Sequence, residues 1–154
     1  MTVARVLNTQ TLTAALKLQL EQWPQLADER VLVESNTPIN LDAGRCPWVG
    51  VYQVGQSLPP RALGTTGGFR RHRIQLAVVV TQSSATSGEE CEARMEATLS
   101  EVLSAILSDP SVRGVVDMID EQVEVTYSSY RVEGNSYFKE AVVQFAALTT
   151  VAVV

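Results

Sequence analysis

The side chains best equipped for chemistry stand together at Arg70-Arg71-His72-Arg73, which holds the single histidine of the chain and three of its 12 Lys and Arg residues. A histidine beside three guanidiniums has its protonated form opposed by like charge. Neither a second histidine nor a Cys-x-x-Cys pair is available to complete a metal site. A Ser-His-Asp relay would have to use this same histidine, and no neighbouring acid would orient its ring. His72 therefore reads as a solvated or interfacial side chain. The basic tetrad suits docking, because such a patch in an acidic chain can hold a carboxylate-rich neighbour or touch passing phosphate. Protection of a strand edge by charge is the plainer alternative. Phe69, Arg70, Arg71, His72 and Arg73 are the candidate assembly-interface residues.

The other candidates are weaker. Gly64-Thr65-Thr66-Gly67-Gly68 is rich in glycine, but it lacks the Lys-Ser/Thr end of a phosphate-binding loop and precedes a strand where a helix would be needed. Asp117, Asp120 and Glu121 could act as acid and base or hold a divalent cation, yet turn chemistry accounts for them better. The two cysteines are Cys46, in a Pro/Gly loop, and Cys91, on an expected helix. So placed, they fit a reducing cytoplasm rather than a disulfide framework. No catalytic residue, metal ligand or cofactor site is assigned.

Composition narrows the classes further. A length of 154 residues accommodates one domain, and a net charge of −5 argues against a protein that wraps nucleic-acid phosphates. Hydrophobic residues make up 45% of the chain and charged residues 19%, where about 25% charged is usual. Such sparse charge fits a surface partly covered by partner subunits, or ordinary variation in a small domain. The first residues lack the apolar core of a signal peptide, and no apolar run approaches the roughly 18 residues of a membrane span. A soluble chain is expected, without membrane contact.

The elements that must position these residues follow from periodicity. Leu12, Ala15, Leu16, Leu20 and Trp23 predict an amphipathic helix over 11–23, ended by Pro24. Strands are expected at 30–34, 48–54 and 72–81. In the last of these Ile74, Leu76, Val78 and Val80 share one face while Gln75, Ala77 and Val79 share the other, and both faces become covered. From Gly55 to Arg73 the prolines and glycines predict a long irregular loop or arm, projecting toward a neighbouring subunit. Ser87 and Glu90 form a capping box for a helix ending at Asp109-Pro110, with Cys91, Met95, Leu99, Val102, Leu103 and Ile106 on one stripe. Strands are then expected at 113–119, 122–130 and 137–151, with a hairpin turn at Glu133-Gly134-Asn135. The sum is an α+β fold: an antiparallel β-sheet with helices packed on one face and one long irregular loop.

A strand Arg73 to Val80, a polar gap, a capped helix, the phrase Leu107-Ser108-Asp109-Pro110-Ser111-Val112-Arg113-Gly114 and a final strand through Val142-Val143-Gln144-Phe145 resemble the tail terminator proteins of long-tailed bacteriophages, also called tail completion or tail-to-head joining proteins. The likeness covers residues 72–151 and rests on element order and one short phrase, not on a catalytic signature. It implies a non-enzymatic virion protein at the head–tail junction, assembled in the host cytoplasm. Such a ring, typically a hexamer of this one chain, would cap the tail tube protein and meet the head connector or head-completion protein. Genomic DNA would pass through the lumen without specific binding. A tail tube or other neck protein is the nearest alternative. A small α+β ligand-binding domain or enzyme is the alternative from another class, and it would need a pocket with convergent polar groups.

Overall fold

The computed structural model describes residues 9–38, 43–57, 69–128 and 131–152. In chain order the elements are helices α1 (Thr9–Glu21) and α2 (Pro24–Asp28), strands β1 (Leu32–Ser35), β2 (Trp48–Ser57) and β3 (Phe69–Ser84), helix α3 (Gly88–Ser108), and strands β4 (Met118–Ile119), β5 (Glu124–Tyr127), β6 (Arg131–Glu133) and β7 (Ser136–Ala152). The fold is α+β. The sheet runs β1-β2-β3-β7, and β4, β5 and β6 line up in turn along the far side of β7.

β3 and β7 are the spine, paired antiparallel without interruption from Phe69↔Ala152 to Ser84↔Tyr137. β7 enters this ladder from a tight hairpin in which Glu133 faces Ser136 and Gly134 takes the left-handed conformation at φ +59°, as the Glu-Gly-Asn signal predicts. The sheet is mixed rather than wholly antiparallel, because β1 lies parallel to β2, with Leu32 beside Trp48 and Ser35 beside Val51. Residues 36–47 make this possible: they are long enough to carry the chain back to the start of the next strand.

Helices α1 and α3 cover one face. Leu12, Leu16 and Leu20, four residues apart, are fully buried, as are Met95, Val102 and Ile106 of α3. They join one core with Val49 and Val51 of β2, Ile74 to Val80 in alternate positions of β3, and Ala141, Val143, Phe145 and Ala147 of β7. Gln19 ties the two helices together, its amide donating to the carbonyls of Ala105 (2.8 Å) and Ile106 (3.3 Å) at the open end of α3. At the other end of α3 the Ser87 hydroxyl accepts from the Glu90 N–H at 3.1 Å, as the capping box requires.

Three expectations need correction. The first helix stops at Glu21, and Pro24 does more than end it: Trp23 is extended and Pro24 starts α2, where its missing N–H costs nothing. Residues 113–117 are turn, with strand only at Met118–Ile119. The Asp109 carboxylate accepts from the N–H groups of Ser111 and Arg113, the Ser111 hydroxyl accepts from Gly114, and Val112, Arg113 and Gly114 all have positive φ. Those local bonds satisfy donors that a strand ladder would otherwise need. The irregular stretch expected over Gly55–Arg73 is shorter than that. Gly55, Gln56 and Ser57 continue β2 opposite Gln75, Ile74 and Arg73, after a bulge that absorbs Val54, and Phe69–Arg73 belong to β3. The rest of that stretch, 58–68, lies outside the described residues, and Gly64 to Gly68 with it.

Candidate assembly surface

Because β3 is extended, the basic tetrad is split between two faces. The backbones of Phe69 and Arg70 pair with Ala152 and Val151. His72 shares the helix-side face with Ile74 and Leu76 and is 1% exposed. Its Nε2 lies 3.0 Å from Oε1 of Gln56 and donates to it, while Nδ1 is buried without a hydrogen-bond partner. Burial holds the imidazole below its ordinary pKa. The solvated reading of His72 is thus overturned: its place in the ladder opposite Thr149 turns the ring inward, and desolvation rather than the neighbouring guanidiniums disfavours its charge.

Arg71 and Arg73 stand on the opposite face. Nη1 of Arg73 donates to Oδ2 of Asp120 at 2.7 Å, and this bond, the largest influence on that carboxyl, holds it below the usual carboxylate range. The other Asp120 oxygen accepts from the Gln122 N–H at 3.3 Å, and Asp117 accepts from the Thr150 N–H at 2.7 Å. The acidic cluster 117–121 therefore works as turn chemistry and as a counterion to Arg73. Among the described residues no three His, Cys, Asp or Glu side chains converge as a metal site.

Arg73 lines two hollows on this face. One, of about 210 Å³, lies among Val54, Gln75, Gln122, Glu124 and Gln144; the other, of about 400 Å³, lies among Ser57, Arg71, Met118, Asp120 and Leu148. Amide groups, one ion pair and an exposed guanidinium give a surface that can make polar contacts of either sign. Alternation in β3 already places Gln75 here. Glu124 and Gln144 meet through the antiparallel pairing of β5 with β7, which the hairpin signal at Glu133-Gly134-Asn135 already favours, and Gln122 lies just before β5.

The far end of the same face is closed by its own residues. Trp48 is fully buried, and its ring and that of Tyr52 meet over Gly50, where a Cβ would lie 2.5 Å from Trp48 and 2.8 Å from Tyr52. The Tyr52 hydroxyl donates to the carbonyl of Thr37, which draws the start of the β1–β2 connection onto this side. Neither cysteine takes part in a disulfide. Cys91 is buried on α3, its Sγ 3.5 Å from the Gln82 carbonyl, and burial pushes its pKa up, away from the reactive thiolate. None of the described helices is long and apolar enough to cross a membrane.

No protein-family model matches this chain, and no curated protein matches it either.

Proposed function

We propose that the chain is the ring subunit of a bacteriophage tail terminator, a structural virion protein that caps the tail tube and joins it to the head connector. What supports this reading is the order of elements over 72–151: a long strand, a capped helix, the Asp109-Pro110 turn and a long closing strand follow one another as in the family that the sequence resembles. Among the described residues the helices cover one face, and Arg71 and Arg73 stand on the other, where a neighbour could meet them. A net charge of −5 suits a lumen through which duplex DNA slides, since the chain repels phosphate instead of gripping it. Genomic DNA is then a passenger and not a ligand.

The ligand-binding alternative would use the hollow beside Gln75 and Gln144. Its volume of about 210 Å³ falls below the roughly 300–1,000 Å³ of ordinary small-molecule sites, and the neighbouring hollow of about 400 Å³, though within that range, is lined mostly by charged and polar residues where such sites are mostly apolar. Mass measurement of the purified protein, with imaging of the protein added to tail tubes, tests the proposal. A closed ring on the tube end, with a lumen wide enough for duplex DNA, is the expected result. A chain that stays monomeric both alone and beside tail tubes would overturn it.

A further inference from the structure

Seven large hydrophobic side chains are exposed among the described residues, and five of them lie along the two outer margins of the sheet. Leu32 of β1 and Val54, on the part of β2 that β1 does not reach, mark one margin; Met118, Tyr127 and Val132 of β4, β5 and β6 mark the other. Sheets usually guard open edges with lysine, proline or inward charge. β1 reads Leu-Val-Glu-Ser and β5 reads Glu-Val-Thr-Tyr, with neither lysine nor proline in either. Among the described residues no strand pairs with the outer side of β1 or β5.

The two margins also match in height, length and direction. β1 lies beside Trp48–Val51 of β2, which face Thr81–Val78 of β3, which in turn face Glu140–Val143 of β7. β5 lies against almost the same stretch of β7, from Tyr127↔Ala141 to Glu124↔Gln144. Both outer strands are 4 residues long. β1 runs with β2 and β7, and β5 runs against them, so β5 is antiparallel to β1. Repeating the chain by rotation about an axis along the strands brings β5 of one copy level with β1 of the next. The same step carries Met118, beside Leu148, toward Val54, whose neighbours on β2 face Leu76 and Gln75 and, across β3, Phe145 and Ala146 of β7.

We propose that β5 of one copy adds antiparallel onto β1 of the next, so that one sheet continues from subunit to subunit. The partner, a second copy of this chain, rests on the ring reading; the edges and their register come from the fold. On β5 the Ser128 N–H turns inward, donating to Glu140 at 2.9 Å, so the alternation of an antiparallel ladder leaves the N–H and C=O groups of Val125 and Tyr127 facing outward. These are the groups that strand addition requires. The contact is head-to-tail, using a different patch on each partner, and such contacts form a ring when the rotation from copy to copy closes.

Two variants test it. Tyr127→Pro removes an outward donor at an edge position where proline is tolerated, and Leu32→Lys puts a charge on the opposite margin. Each is compared with the wild-type chain by sedimentation and circular dichroism, with Tyr127→Lys in reserve should the proline variant fail to fold. Each folded variant is expected to raise the dissociation constant of the assembly by about tenfold or more. An equal mixture of the two is expected to form dimers that grow no further, because one variant keeps its β5 edge and the other its β1 edge. If both variants assemble as the wild type does, or the mixture stays monomeric, the edge pairing is wrong and the ring reading stands. A wild-type chain that never self-associates would overturn both.

Discussion

Alternate residues of β3 look onto two different worlds. Toward the helices, Ile74, Leu76, Val78 and Val80 are at most 1% exposed, sealed by leucines of α1 and the apolar stripe of α3. On the other side Ala77 and Val79 are buried beside the Trp48–Gly50–Tyr52 cluster, while Gln75 and Arg71 remain in solvent. Among the described residues, one strand thus carries a face covered by separate elements and a face covered where its neighbours' aromatic rings reach. Apolar alternation marks both sides as fit for burial, but a cover must arrive from elsewhere before either is buried.

The comparison can be broken most sharply on the helix side. Leu99, 3% exposed in the stripe of α3, is expected to lose about 2–5 kcal/mol of stability on Leu99→Ala, measured by chemical denaturation. A loss under about 0.5 kcal/mol would place that stripe outside the core. The closed end of the opposite face should respond less. Gly50→Ala sets a methyl group 2.5 Å from the Trp48 ring, and the displacement should cost about 1–3 kcal/mol and change tryptophan fluorescence. An unchanged spectrum and midpoint would mean that the rings are not packed over the glycine. The smallest effect belongs to the open end, where Arg71→Ser should shift the stability of the subunit by no more than about 0.5 kcal/mol. A substantially larger loss would show that this part of the face is covered in the isolated chain.

Much of the architecture is legible in local signals. The helix Gly88–Ser108 begins and ends where Ser87, Glu90 and Asp109-Pro110 say it should, because capping and proline act within a few residues of the backbone groups they satisfy. The hairpin before β7 and the inward set Ile74, Leu76, Val78 and Val80 are legible for the same reason. The flanks of the supposed loop were not, because Gly55–Ser57 and Phe69–Arg73 gain their regularity from each other and from β7 rather than from their own propensities. The candidate surface is half legible: Arg71 and Arg73 are visible as a basic cluster, and alternation in a strand over 72–81 separates Arg73 from His72, but the place of Arg71 follows only once the strand is known to reach back to Phe69.

By itself, then, the sequence determined the period of the longer elements, the caps and turns that bound most of them, and a sheet with helices on one face. Only the tertiary structure decided that β1 runs parallel to β2, that His72 turns into the core to meet Gln56, and that Asp120 is the counterion of Arg73, 47 positions away. The physical reason is range. A cap or turn is settled by hydrogen bonds to residues a few places along the chain, whereas a strand's partner, the burial of a polar side chain and the pairing of charges depend on segments that meet only when the chain has folded.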